Sequence, residues 1–415
     1  MRYRLFASTL AAKLAKPFVH ILFGARQTGK STLLRGLLPQ DTVILDLSDP
    51  QERARFAANP GLLIDLCHAL PDREGGYPVF IDEAQMVSAL FDAVQSLYDS
   101  DKERYRFILC GSSARKLRSS GANLLPGRSI RYALFPLVDE EYEPTPGRPP
   151  AAGRKRLVQL QEPNRTPARF PARSIESRLV FGDLPGVALL ESDEDRRDIL
   201  TTYATAYLEE EIRRETVVKD WGYFLRFLKF SAGDSGGIVN LSAISRETGI
   251  SSQTVKAYYQ LLEDMFVGFV VPAFSGSSRK SALSSPRFFY FDNGVRNAAA
   301  KIPLTEGSVN AAPGPLFEHW VAGQLWRKLA YDGSGTLSYY RTSDGAEVDF
   351  IVKRGDTLYP IEVKWSENPT AKDARHLRAF IRDNERSCPG GVIVSRCPHI
   401  LDLGDSVTAI PWWLV

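Results

Sequence analysis

The sequence predicts an α/β protein of more than one domain, and three observations carry that expectation. Short apolar runs alternate with helical patterns over residues 1–140, a second alternation of this kind closes the chain, and 415 residues exceed one core of about 150 residues. The apolar fraction of 44% and charged fraction of 24% are those of a globular chain, which excludes a disordered or fibrous one. Fifty-two basic against 49 acidic residues leave +3, so bulk charge announces no polyanion partner and any nucleic-acid surface must be local. No run reaches the roughly 18 apolar residues of a membrane span. The basic start Met1-Arg2-Tyr3-Arg4 continues to Lys13 and Lys16 instead of an apolar leader. A cytoplasmic protein without membrane contact is expected. Cys67, Cys110, Cys388 and Cys397 lack metal-ligand spacing, so reduced thiols are expected.

In order along the chain, residues 1–143 carry apolar runs at 18–23, 43–47, 79–81, 107–109 and 130–134. Runs of that length separated by helical segments read as a parallel sheet covered on both faces. Residues 144–174 change character, with seven prolines, seven Lys or Arg and the single acid Glu162. Two readings stand for this linker: a solvated insertion, or a basic arm that touches phosphate. Residues 175–235 form a helical lid with periodicity from Arg196 to Phe230. Residues 236–310 predict a winged-helix-like module. Leu241, Ile244 and Ile250 are apolar, Gly249 supplies a turn, and Ser252 caps a second helix carrying Val255, Tyr258, Leu261 and Leu262. Its polar face, Ser252, Gln253 and Lys256, suits DNA contact, while such modules also pack as lids against ATPase cores. Residues 311–415 read as a separate α/β domain with a helix at 316–329 and strands near 337–340, 347–352, 359–364 and 391–394.

Directly after the first apolar run stands Gly24-Ala25-Arg26-Gln27-Thr28-Gly29-Lys30-Ser31-Thr32, a complete G-x-x-x-x-G-K-[ST] match that opens a helical pattern. Successive backbone N–H groups of such a loop cradle phosphate oxygens, and the helix N-terminus adds partial positive charge. Lys30 then reaches the β and γ phosphates of ATP, and Ser31 supplies a hydroxyl to Mg²⁺. Asp82 and Glu83 end the run at 79–81, where acids project into the ligand crevice of a parallel sheet. Asp82 is a Mg²⁺ ligand in this reading and Glu83 the base for the attacking water, with an N-cap role for Asp82 as the structural alternative. Gly111-Ser112-Ser113 ends the next run, and its hydroxyl either meets the γ-phosphate or caps a helix.

The loop at 24–32, Asp82-Glu83-Ala84-Gln85, Gly111-Ser112-Ser113 and Leu125-Pro126-Gly127-Arg128 resemble, in order and spacing, the AAA-type ATPases of bacteria and archaea that carry a C-terminal domain of unknown function (number 4143). The likeness continues through Gly182-Asp183-Leu184-Pro185, the winged-helix segment, Phe317-Glu318, Glu347-Val348-Asp349-Phe350 and Ile361-Glu362-Val363-Lys364. Cys110 stands where that family usually has Thr, and residues 144–174 are not part of its pattern. The resemblance implies a P-loop core that binds ATP and Mg²⁺, and a homo-oligomer such as a ring in which Arg128 completes a neighbour's site. A surface arginine is the alternative for Arg128. Gly182 to Pro185 reads either as a nucleotide-sensing turn or as a plain tight turn.

In the last domain Asp349 and the Glu362-x-Lys364 pair fall on neighbouring strands, where alternation turns Glu362 and Lys364 to one face. With Glu318 on the preceding helix, this resembles the PD-(D/E)xK nuclease core of restriction endonucleases, Val348 replacing its proline. A working site holds a second Mg²⁺ or a Mn²⁺ for phosphodiester hydrolysis, and a salt-bridged remnant binds without cleaving. The predicted function is an ATPase acting on DNA, as a motor or an ATP-regulated nuclease. The alternative is a nucleotide-switched scaffold with an inactive C-terminal domain.

Overall fold

The five apolar runs of the first 140 residues lie side by side in the computed structural model. The structure describes residues 2–112, 125–145, 148, 156–158, 167–214, 218, 220–275, 285–342 and 345–415. Strands β1 (Val19–Phe23), β2 (Val43–Asp46), β3 (Tyr77–Asp82), β4 (Tyr105–Gly111) and β5 (Ser129–Ala133) form a parallel sheet in the order β2-β3-β4-β1-β5. Val19, Ile21, Phe23, Val79, Ile81, Phe107 and Leu109 fill one face of it. They pack on Phe56, Leu63, Phe91, Val94 and Leu97, all at most 1% exposed except Phe23 at 4%. The other face is covered too, with His20, Leu22, Phe80 and Ile108 buried. Burial on both faces of the inner strands β1, β3 and β4 is why they read as continuous apolar runs without alternation. Each large side chain so buried stabilises the fold by roughly 1.5–3 kcal/mol.

The chain divides into two compact units, the first comprising residues 1–135 with 163–169 and 264–266, the second the remainder. In the second unit the periodic stretch expected from Arg196 to Phe230 is not one helix. It is split into Asp193–Thr202, a π-helical stretch Tyr203–Tyr207, Leu208–Arg214, and Trp221–Gly233, which Asp220 caps through the Tyr223 N–H. Helices Leu241–Thr248 and Ser252–Asp264 follow, joined through Gly249 at φ +73°, then an antiparallel ribbon of β6 (Gly268–Val271) and β7 (Arg287–Tyr290), with an isolated bridge from Ile238 to Arg287. The last segment places helix Pro313–Asp332 beside a mixed sheet. It is built from β8 (Thr336–Arg341), β9 (Glu347–Arg354), β10 (Thr357–Val363), β11 (Gly391–Ser395), β12 (Leu401–Asp402) and β13 (Val407–Pro411), in the order β12-β13-β11-β10-β9-β8. Strands β12 and β13 were not expected, because short runs among Asp and Gly carry little periodicity.

A buried charge network holds the second unit. Arg178 pairs with Asp139 at 2.7 Å and Asp183 at 2.8 Å, Arg327 reaches Asp183 at 3.2 Å, and Lys328 meets Glu140 at 2.9 Å. Part of the basic stretch belongs to it. Arg148 pairs with Asp139, Arg156 with Glu140 at 2.5 Å, and Arg173 donates to the Gly182 carbonyl at 2.9 Å. For these three arginines neither the solvated insertion nor the phosphate-seeking arm is correct, since unpaired acids in the interior would cost more than solvent contact returns. Residues 146–147, 149–155 and 159–166 of that stretch lie outside the described residues. Residues 182–185 turn the chain from helix Ile175–Phe181 into Pro185–Ala188. At Gly182, with φ +68°, a Cβ would stand 2.0 Å from the Asp292 carboxylate, so no larger residue leaves room for that acid.

Burial, together with the charge of Asp183, pushes Asp292 up to about 6 although Arg327 opposes the rise. Its folded value lies above the unfolded one, so its stabilising contribution is present below the ordinary carboxylate range and lost as pH rises through about 6. Urea midpoints of the wild type and Asp292→Asn at about pH 4 and about pH 7.5 are therefore expected to diverge. The wild type should lose on the order of 2–3 kcal/mol more than the variant as pH rises. A pH-independent difference between them would refute the assignment.

Candidate functional site

The loop between β1 and helix Lys30–Leu37 is shaped by backbone that only certain residues adopt. Gly24 has φ +154° and a Cβ there would lie 2.2 Å from the Leu134 carbonyl, while Gly29 caps the helix at φ +88°. The loop is braced from below: Arg4 donates to the carbonyls of Thr28 and Phe135 at 2.7 Å each, and Thr28 donates to Ala25 at 2.9 Å. Lys30 is buried at 5% exposure and its ammonium donates to the carbonyls of Gly24 and Ala25, at 2.9 and 3.0 Å. A buried ammonium held on the loop carbonyls, one residue into the helix, is a cation set beside the backbone that such a loop uses to bind anions.

The metal-side residues meet at one carboxylate oxygen. Ser31 Oγ donates to Asp82 Oδ1 at 2.9 Å, the Cys110 thiol donates to the same oxygen at 2.7 Å, and the Glu83 N–H at 3.1 Å. Burial, with the Asp82 charge beside it, raises the Cys110 thiol well above its usual range, so it stays a donor. Register brings Asp46 of β2 beside Asp82 of β3. Arg35 binds Asp46 at 2.7 Å and stands 3.8 Å from Asp82, supplying the positive charge two neighbouring acids need. A hydroxyl and a carboxylate oxygen 2.9 Å apart, next to the cradle, suit a hard divalent cation such as Mg²⁺. Glu83 takes a left-handed backbone, φ +53°, which directs it away from the strand. Gln85 then donates to the Glu83 carboxylate and, at 3.0 Å, to Ser112 Oγ. The sequence reading gave Gln85 no role; its place two residues after Glu83 was the available signal. Ser113 lies outside the described residues.

Arg128 stands apart from these groups. Its carbonyl accepts from Val19 at the start of β1, and its guanidinium binds Asp99 at 2.6 Å. The five residues of β1 span roughly 16 Å at about 3.3 Å each, so Arg128 sits at the opposite end of the strand from its own phosphate loop.

In the second unit Glu318, Asp349, Glu362 and Lys364 come together, along with one residue the sequence reading did not include. Antiparallel pairing of Ile361 with Phe350 brings Asp349 and Glu362 close, and helix Pro313–Asp332 supplies Glu318. Asp349 accepts from the Val363 N–H at 2.8 Å, and Lys364 pairs with Glu362 at 2.8 Å. Arg287 of β7 ion-pairs with Glu318 and donates at 3.5 Å to the Asp349 carbonyl and at 2.6 Å to Gly236. Burial, then repulsion from Glu318 and Glu362, holds Asp349 well above the ordinary carboxylate range. Burial also raises Glu362 despite Lys364. For Lys364 burial works downward, but Glu362 and Asp349 carry it above its usual value. No three His, Cys, Asp or Glu among the described residues converge as a metal site.

On helix Ser252–Asp264, Gln253, Lys256, Ala257 and Gln260 are exposed on one face. Ser252 differs from them, its hydroxyl turned to the Leu241 carbonyl at 3.4 Å.

Three family descriptions match successive segments of the chain. Residues 16–143 match an AAA domain, residues 172–306 a domain of unknown function (DUF8612), and residues 313–415 another (DUF4143). Uncharacterized proteins of Mycobacterium tuberculosis and Mycobacterium bovis are each 25% identical over 410 residues, covering 98% of this chain and 82% of theirs. An uncharacterized protein of Haemophilus influenzae is 23% identical, covering 88% of this chain and 87% of its own. Among solved structures, a DNA polymerase III gamma subunit-related protein of Thermotoga maritima aligns with a TM-score of 0.24 at 11% identity, over 78% of this chain and 99% of that one. No described helix is long and apolar enough to cross a membrane.

Proposed function

Residues 16–143 being an AAA domain and residues 313–415 a DUF4143 domain, we propose that the chain is an ATPase whose nucleotide cycle acts on DNA. The hydrogen bond from Ser31 to Asp82, beside the loop that Lys30 overhangs, carries the ATPase part of this reading. Loop N–H groups from Gly24 to Gly29 bind phosphate, and Lys30 exchanges its two carbonyl partners for the β and γ phosphates. Ser31 and Asp82 hold Mg²⁺, which when bound neutralises phosphate charge. Glu83 orients the attacking water and takes its proton, and Ser112 faces the γ-phosphate. Arg128, remote from its own loop, serves the site of a neighbouring copy in an oligomer.

DNA contact falls to the winged-helix-like arrangement of helices and ribbon, through the exposed Gln253, Lys256 and Gln260. ATP turnover measured with and without single-stranded, duplex and branched DNA is expected to rise severalfold with one of them. Lys256→Ala should weaken that stimulation and its salt dependence without changing the basal rate. Turnover indifferent to every DNA favours the nucleotide-switched scaffold.

For the C-terminal cluster a specific observation supports the binding reading over cleavage. Two internal cations, Arg287 and Lys364, already pair Glu318 and Glu362. Buried carboxylates neutralised from within have less need of a metal.

A further inference from the structure

We infer that Gln85 is a positioning residue that ties the orientation of Glu83 to Ser112, an inference that rests on the ATPase reading of this site. Gln85 is 4% exposed, and its amide nitrogen donates both to the Glu83 carboxylate and to Ser112 Oγ, at 3.0 Å for the latter. The direction of the amide follows from chemistry: an ionised carboxylate only accepts, so nitrogen and not oxygen faces Glu83. The price is on the other side of the group, where Gln85 Oε1 is buried without a partner among the described residues. An orphaned buried acceptor costs about 1–3 kcal/mol, which a packing role alone does not require because methionine would fill the same volume.

The surroundings are built for this one placement. A Cβ on Gly111 would lie 2.2 Å from Gln85 Oε1 and 3.1 Å from its amide carbon, so the last residue of β4 leaves its side-chain space to that amide. Glu83 precedes the short helix Ala84–Met86 in a left-handed backbone, φ +53°, and its carboxylate meets Gln85 within that helix. One amide thus connects the end of β3 to the end of β4. A γ-phosphate that engages the Ser112 hydroxyl changes what Gln85 holds, and with it the direction of Glu83.

Gln85→Met keeps the volume and removes both hydrogen bonds. Gly111→Ala removes no functional group and pushes the amide aside, its own extended backbone being open to alanine. Each is expected to lower kcat roughly ten- to a hundredfold, the scale of a misplaced catalytic group, while KM stays within about twofold. Affinity for a fluorescent ATP analogue and the urea midpoint should stay close to wild type. In a Gln85→Ala background Gly111→Ala should lower kcat no further, since both act through one amide. Losses that multiply, an unchanged kcat in Gln85→Met, or analogue affinity lost in step with kcat each overturn the coupling while leaving the ATPase assignment standing. A wild type that neither binds the analogue nor turns over ATP overturns both.

Discussion

Lys30→Ala is expected to abolish ATP turnover and to weaken ATP binding at least tenfold, whereas Glu83→Gln should bind ATP as tightly as the wild type and fail to hydrolyse it. The difference follows from where the two groups stand. Lys30 is the buried cation over the cradle, already 2.9 and 3.0 Å from two loop carbonyls, and its loss takes the protein's own cation away from the phosphates and leaves N–H dipoles and Mg²⁺ to oppose their charge. Glu83 lies beyond Asp82, and the amide substitution keeps size while removing the base; losing a general base typically costs 10²–10⁴-fold in rate, about 3–5 kcal/mol of barrier. Titration with a fluorescent ATP analogue and phosphate-release assays separate the two. Mixing Glu83→Gln with Arg128→Ala should restore part of the turnover, because some interfaces then pair an intact Glu83 with an intact Arg128. Equal analogue affinity in wild type and Lys30→Ala would remove the site assignment, and no recovery in the mixture would remove the role of Arg128 in a neighbour's site.

The second large effect is expected at Arg287. Removing one partner of a mostly buried ion pair leaves the other uncompensated and typically costs 3–5 kcal/mol. Glu318 keeps 23% of its side-chain surface exposed, so Arg287→Gln should lose about 2–3 kcal/mol in urea denaturation. With Arg287 gone, Glu318 loses its ion pair while Lys364 still holds Glu362, and millimolar Mn²⁺ should recover part of the loss. The wild type should show little response to Mn²⁺ and leave plasmid DNA intact. Asp349→Asn should be neutral or stabilising at pH 7, since the carboxyl is raised by burial and by Glu318 and Glu362 and an amide oxygen still accepts from Val363. Nicking of plasmid by the wild type in Mn²⁺, lost in Asp349→Ala, would overturn the paired-remnant reading and establish a nuclease.

Much of the nucleotide site is legible because its chemistry is local. The spacing from Gly24 to Ser31 encodes a loop whose backbone binds anions, and the apolar run before Asp82 and Glu83 encodes a buried strand that delivers them to one edge of a sheet. The parallel sheet itself was readable since strands buried on both faces leave uninterrupted apolar runs, and β1 to β5 formed where those runs lie. The helix from Ser252 was readable from Gly249, while its capping hydroxyl falls one residue earlier than expected, on Ser251, which accepts from the Thr254 N–H at 3.2 Å. By contrast, the helical periodicity between Arg196 and Phe230 left no sign of the π-helical stretch at Tyr203–Tyr207, since a period of 3.6 does not record a local change of winding.

What the sequence by itself determined was each group that acts through its own neighbours in the chain: the phosphate loop, the acids at the end of β3, the alternation that sets Glu362 beside Lys364. Only the tertiary structure decided which distant charges meet. Arg287 lies 31 residues from Glu318 and reads in the chain as a strand-edge arginine, yet β7 carries it to that acid. Arg148 and Arg156 read as charges either solvated or turned to phosphate, and they pair instead with the buried Asp139 and Glu140. Gln85 and Gly111 are ordinary residues until β3 and β4 pair. The physical reason is common to all of them. A buried charge or amide is tolerated only where its partners are supplied, and those partners come from strands and helices that adjoin in space without adjoining in sequence.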